Sequence, residues 1–176
     1  ARTAKLNNAS SRWLLELRTS PLALEIVNNQ NLVEWSKRGV ATPDHVIRTK
    51  AFPLVLEKPP LITKSDHHEF SDSWQKWADS VEQSLTKYIH SYHGYFERQN
   101  NRLIEKKKQL DPLPRLITIP GIGLIGVGNT TTSSKVAADI GEAWASTLMA
   151  AESFGRFTPV EESDIFDLEY WSLEQA

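Results

Sequence analysis

The sequence predicts an α/β or α+β domain, rich in helix, with its helices laid on a small sheet. Three observations predict it. Residues 115–128 (RLITIPGIGLIGVG) form the most apolar run of the chain, and β-branched residues there are punctuated by glycine and proline. Before it lies a long polar stretch in which Trp74, Trp77, Val81, Leu85, Tyr88, Ile89, Tyr92 and Phe96 recur every three or four residues, the stripe of an amphipathic helix. After it comes an alanine-rich stretch, 134–154, with the same helical spacing and small residues suited to close packing on a sheet. Strands covered by helices give a helix-on-sheet or three-layer architecture.

Taken in order, residues 1–12 are polar and predict a frayed end. Residues 13–18 (WLLELR) are apolar at helical spacing, so that 13–41 reads as a helical N-terminal part. Ser20-Pro21 starts a helix, with Ser as N-cap and Pro at the first position, and Asn28-Asn29 ends it. Leu32, Val33 and Trp35 belong to a second short helix closed by Gly39. Thr42-Pro43-Asp44 opens a third, which carries His45, Arg48 and Lys50. Residues 52–57 (FPLVLE) read as a strand that Pro53 confines to an edge. A loop at 58–70 leads to the long helix, predicted from Ser71 or Asp72 to about Glu105. Asp111-Pro112 and Pro114 turn the chain into a hairpin of strands 116–119 and 122–127 about Pro120-Gly121. The connection is too short for a crossover, so the pairing must be antiparallel. Asn129 to Thr132 supplies a turn and cap. The helix 134–154 follows, with Val136, Ala137, Ile140, Trp144, Leu148 and Ala151 facing inward and Gly155 as its stop. Thr158-Pro159 and Ser163-Asp164 start short terminal helices. A single domain over 1–176 is expected, with its core at 42–160 and 161–176 beginning a linker in which Ser172 caps a further helix.

Composition narrows the function. With 176 residues the chain can bury a real core. A net charge of −2 lacks the clustered basic excess of a nucleic-acid surface. The one basic run, 102–108 (RLIEKKK), reads as a solvated helix end. The absence of cysteine excludes disulfides, thiolate metal sites and a cysteine nucleophile, and points to the cytoplasm. No segment approaches the roughly 20 apolar residues of a membrane span.

Several groups of residues could carry chemistry. The glycine loop with the helix after it suggests a phosphate cradle, and Gly121, Gly123 and Gly126 match G-x-G-x-x-G literally. Yet Leu124, Ile125 and Val127 continue a strand, and the motif's acidic residue about twenty positions on is missing. A structural hairpin is the competing reading. Asp66, His67, His68 and Glu69 form the most metal-like cluster, and His90 and His93 lie three apart on a helix, but neither group offers the three or four ligands of a zinc site. Asp44, His45, Arg48 and Lys50 form the third set. Asp44 and Arg48 sit four apart, and His45 shares a face with Arg48, so the set could hold a carboxylate or phosphate, and with Lys50, facing Gly121 and Gly123, a sugar phosphate or nucleotide. The alternative is a capped, salt-bridged helix. The tryptophans and tyrosines at 74, 77, 88 and 92 could instead form an exposed aromatic face for a protein partner.

Three segments carry a resemblance: ATPDHVIRTKAFPLVL, PRLITIPGIGLIGVGNTTTSSKVAADI and FGRFTPVEESDIFDLEYWSLEQA. In this order they resemble the middle region of bacterial bifunctional proteins that join a class II aldolase/adducin-like domain to a short-chain dehydrogenase, the rhamnulose-1-phosphate aldolase/alcohol dehydrogenase type. The likeness covers 42–176, weakest over 58–111, and EYWSLEQA is its most specific piece. It implies deoxysugar-phosphate catabolism, zinc in the parent's aldolase domain and NAD in its dehydrogenase domain. The family's strand–Asn-His-Gly–strand falls at Ile119-Pro120-Gly121-Ile122-Gly123, which lacks the metal-binding His. The family's His-x-His pair and the dehydrogenase's Tyr-x-x-x-Lys pair are missing as well. The resemblance therefore implies a chain with no catalytic residues and no cofactor of its own, a scaffold that touches flanking domains or a second copy, with a sugar phosphate as the ligand expected at any surviving site.

Overall fold

The computed structural model describes residues 4–6, 9–61 and 67–171, and side chains at 12–43, 45–61 and 71–171. The elements in order are β1 (Ala4–Leu6), β2 (Ala9–Ser11), β3 (Leu14–Arg18), α1 (Pro21–Val27), α2 (Leu32–Trp35), α3 (Val46–Thr49) and β4 (Leu54–Val55). Then come α4 (His67–Asn100), β5 (Leu116–Ile119), β6 (Gly123–Gly128), α5 (Thr131–Phe154) and α6 (Glu162–Glu169). Short 3-10 turns at Ser36–Arg38 and Pro43–His45 join the small helices.

The central sheet has the order β3-β6-β5-β4. β5 and β6 form the expected antiparallel hairpin, Ile117 opposite Ile125 and Leu116 opposite Gly126. β4 adds in parallel at one edge, Leu54 beside Ile117, and Leu56 N–H extends it by donating to Thr118 O at 3.0 Å. β3 closes the other edge, Leu17 opposite Ile125. This corrects the helical reading of 13–18. A run of six residues is too short to hold a helix in isolation, and the open edge of β6 offers five backbone partners. Residues 4–6 likewise pair antiparallel with 9–11, Lys5 opposite Ser10, where a frayed end was expected.

Alternation along the strands creates two faces. Leu116 and Leu124 point to one, where they meet Ala23, Ile26, Trp144, Ala145 and Leu148 of α1 and α5. Ile117, Ile119, Ile125 and Leu54 point to the other, where Trp77, Val81, Leu85 and Tyr88 of α4 cover them. Trp77 Nε1–H donates to Glu57 O at 2.9 Å and Tyr88 OH to Phe52 O at 3.0 Å. The aromatic stripe of α4 is thus an inner face, not an exposed one.

A third cluster lies beyond the sheet, where the C-terminal half of α4 meets α3 and α6. It holds Val46, Tyr92, Tyr95, Ile165, Phe166 and Tyr170. Phe166 stacks on Tyr170 at 4.5 Å between ring centroids, and Tyr95 and Phe96 pack against them. The chain from 161 to 171 is therefore not a linker. Ile165, Phe166, Glu169 and Tyr170 are buried, whereas 172–176, with the expected cap at Ser172, lie outside the described residues. No helix forms at Thr158-Pro159.

Local chemistry sets the ends of the long helices. α4 stops at Asn100, five residues before the expected end. Asn100 binds Lys107 through both amide atoms, and Lys106 Nζ caps the carbonyls of Asn100 and Asn101. The basic run is thus a loop folded back over the helix end. α5 starts three residues earlier than expected, because Thr130 and Ser133 form a reciprocal capping box. Val136 falls on its exposed side.

Candidate functional site

Gly121 and Gly123 come first, since a cradle was expected there. Gly121 has φ +79° and sits in the turn after β5, its N–H bound to Asn28 Oδ1 at 2.9 Å and its Cα under the Lys58 stem. Gly123 has φ +142°, and a Cβ on it would lie 2.2 Å from Arg18 O. At Gly126 a Cβ would lie 2.3 Å from Ser134 O and 2.4 Å from Ala138 N. The glycines let β6 approach β3 and α5 closely, and their free surface is spent on the protein's own backbone. α5 begins five residues after Gly126. In the dinucleotide motif the last glycine lies where the helix opens, so this geometry is that of a packed hairpin.

Zinc does not fit the same turn. The groups about it are an amide, a lysine stem and backbone, and zinc takes imidazole, thiolate or carboxylate. Among the described residues no three His, Asp or Glu side chains gather closely enough to hold a metal. His93 Nδ1 is bonded to Gln109 Oε1 at 3.0 Å, while His90 faces solvent. The side chains of Asp66, His67, His68 and Glu69 lie outside the described residues, as does that of Asp44.

The 44–50 segment does not converge on the glycines. β4 and β5 are parallel; Lys50 precedes β4 and Gly121 follows β5, so the two lie at opposite ends of the sheet. Within the segment the side chains also diverge. Arg48 is exposed on a cleft of about 760 Å³ shared with Trp13, Arg115, Gly128 and the start of α5. Arg115 there lies over the Trp13 ring at 4.5 Å and pairs with Asp111 at 2.6 Å. His45 and Lys50 border a void of about 10 Å³ beneath Trp144, into which His45 Nδ1 is buried without a hydrogen-bond partner among the described residues. That void has room for one water.

Lys50 is the residue that the structure singles out. It has φ +62° and ψ 176°, a region that side-chain-bearing residues rarely occupy, and no other non-glycine among the described residues has a positive φ. Lys50 is 5% exposed and Glu169 3%. Lys50 Nζ lies 3.4 Å from Glu169 Oε1 and 3.8 Å above the centre of the Tyr92 ring. Tyr92 OH donates to Glu169 Oε1 at 2.8 Å and Tyr95 OH to Oε2 at 3.0 Å. The hydroxyls of Tyr92 and Tyr170 are 2.7 Å apart, and Leu110 N–H donates to Tyr170 OH at 3.3 Å. Tyr92 has one proton and gives it to Glu169, so Tyr170 must donate to Tyr92. A directed chain therefore runs from Leu110 through two tyrosines to the carboxylate.

Burial sets the electrostatics. Desolvation pulls the Lys50 ammonium down to about 8, only partly opposed by Glu169. Tyr92 and Tyr95 are pushed well above the usual phenol range, first by desolvation and then by the neighbouring Glu169 charge. Tyr170 is raised to about 12, mainly by burial. Beside this cluster opens a cavity of about 390 Å³, bordered by Lys50, Phe52, Tyr88, Tyr92, Tyr95 and Ser91 among others. Lys50 was legible in the sequence. Glu169, Tyr92 and Tyr95 were not, because they converge from α6 and α4 across about 75 to 120 positions of sequence. An acidic residue next to an aromatic in EYW was the available signal.

Helices thus cover both faces of a mixed sheet built around a strand–turn–strand–helix core. The chain belongs to the class II aldolase family: the model for that family's second domain matches residues 1–176. The chain is also similar to an uncharacterized oxidoreductase of Bacillus subtilis (strain 168), YuxG, with 30% identity over 151 residues. That stretch is 86% of this chain and 20% of YuxG, so the chain spans about a fifth of that relative's length. No solved structure matches.

Proposed function

We propose that this chain is the supporting second domain of a longer aldolase/oxidoreductase protein of the rhamnulose-1-phosphate aldolase/alcohol dehydrogenase type, at work in cytoplasmic deoxysugar-phosphate catabolism. The observation that carries this reading is the glycine hairpin. By the resemblance, Ile119-Pro120-Gly121-Ile122-Gly123 stands where the family carries its metal-binding His-Gly, and this turn offers no imidazole, its Gly121 N–H being tied to Asn28 Oδ1. Its role is to brace flanking domains or a second copy, without metal ligands of its own. Zinc analysis of the full 176-residue chain, together with an aldol-cleavage assay on rhamnulose 1-phosphate, tests this. Neither bound zinc nor cleavage is expected. Stoichiometric zinc with turnover by this chain alone overturns it.

A second reading is favoured by the cleft between Arg48, Arg115 and the start of α5. Two guanidinium groups and a helix N-terminus suit a phosphate ester, so a sugar phosphate could be held there in place of the glycine loop. A thermal-shift titration with sugar phosphates decides it. A bound ligand raises the midpoint, and no shift at millimolar concentration removes the reading.

A further inference from the structure

We propose that the cavity beside Lys50, Tyr92 and Tyr95 is a carbonyl-capture site, in which the Lys50 amine condenses reversibly with a small hydroxylated aldehyde or ketone. The inference does not depend on the supporting role proposed above. It starts from geometry. A lysine carried on a backbone conformation that favours glycine, and buried with a carboxylate, is held in place against two costs, strain and desolvation. The network around Glu169 is what holds it. Lys50 and Tyr92, whose ring lies 3.8 Å from the amine, both border a cavity large enough for a compound of a few carbons.

Lys37, Arg98 and Glu162 also line the cavity, but at the amine itself the surroundings favour a neutral carbonyl over an anion. An anion approaching Nζ would meet the Glu169 carboxylate 3.4 Å away, whereas a carbonyl carbon needs only the amine's lone pair. The walls pair aromatic rings with the hydroxyls of Ser36 and Ser91, which suits a short polyol chain. Burial also lowers the lysine to about 8, so a sizeable share is neutral near physiological pH.

The step balances without an oxidant or reductant. The Nζ lone pair forms the C–N bond, and the proton lost from nitrogen passes to the former carbonyl oxygen, giving the carbinolamine. The C–O bond then breaks as that oxygen takes a second proton and leaves as water. The remaining N–H proton is lost as the C=N bond forms. Tyr92 and Tyr95 keep their protons at neutral pH and touch both oxygens of Glu169, so donor and acceptor stand beside the amine.

The test is reductive trapping on the full chain. Glycolaldehyde or dihydroxyacetone is added with borohydride, and modified lysines are mapped by mass spectrometry. At pH 8 the expected labelling of Lys50 exceeds that of the exposed lysines Lys76 and Lys135 by at least about tenfold, from the difference in neutral fraction. Labelling at Lys50 should level off above pH 8 while the exposed lysines climb toward pH 10. Lys50→Arg keeps the charge and should lose this adduct alone. A Lys50 labelled more slowly than the exposed lysines in the unaltered chain, as a sealed structural ion pair would be, overturns the proposal whether or not the variant folds. The readout needs no metal and no cleavage, so it can fail while the supporting role stands, or the reverse.

Discussion

Glu169 receives an ammonium and two phenol hydroxyls while only 3% exposed, and so much of the third cluster depends on one side chain. Removing one partner of a buried pair leaves the others desolvated and unpaired, which costs about 3–5 kcal/mol. Glu169→Ala should therefore lower the urea midpoint by that equivalent, whereas Arg98→Ala, which breaks the exposed pair with Glu162 at 2.8 Å, should change it by at most about 1 kcal/mol. Lys50 also gives stability a pH dependence of definite sign. Its folded value is lowered to about 8 against an ordinary 10.5. The unfolded chain thus binds more protons between these values, and stability rises with pH through that window. Tyr92, Tyr95 and Tyr170 act the other way, since their values are raised from 10. Their contribution is present below pH 10 and is lost above it. The expected profile gains about 1 kcal/mol from pH 8 to about 9.5, where the tyrosines begin to cancel the Lys50 gain, and falls beyond, at about 1.4 kcal/mol per proton per pH unit. Chemical denaturation across that range checks it, and Lys50→Met should flatten the rise.

Between β6 and α5 there is no spare room. Gly126→Ala would place a methyl carbon 2.3 Å from a backbone oxygen, which neither element can yield without moving the other. A loss of about 1–3 kcal/mol or more follows from overpacking, measurable by thermal unfolding. Gly155→Ala is the matched control, since nothing lies within 4 Å of the added carbon and its φ of −177° is extended. The same elements show how far local sequence reaches. Ser20-Pro21 and Thr130 start helices as their chemistry dictates, with Ser20 Oγ accepting from Ala23 N and Thr130 Oγ1 from Ser133 N. The strand at 14–18 did not show itself, because its apolar residues fit two periods over so short a run, and only the edge of β6 decided between them. At the end of α4, side chains several residues on decided the stop.

For the molecule as a whole, two clusters lie on the two faces of the sheet, and the one built on α6 lies beyond it, apart from the one under α5. Leu148→Ala and Phe166→Ala belong to different clusters. Each should cost about 2–5 kcal/mol, and the double variant should cost their sum to within about 0.5 kcal/mol. A coupling well above that, measured by urea denaturation of the four chains, would show that α6 and the sheet core pack as one unit. The sequence by itself determined the hairpin at 116–128, the two long helices with their apolar faces, the capped starts, and the placing of Lys50 among residues able to bind. These follow from period, punctuation and side-chain hydrogen bonding within a few positions. Only the tertiary structure decided that the glycines serve packing, that His45, Arg48 and Lys50 open on different spaces, and that Lys50 meets Glu169, Tyr92 and Tyr95. Those partners come from separate helices, and what unites them is burial in a common cluster, a property of distance in space that no local pattern encodes.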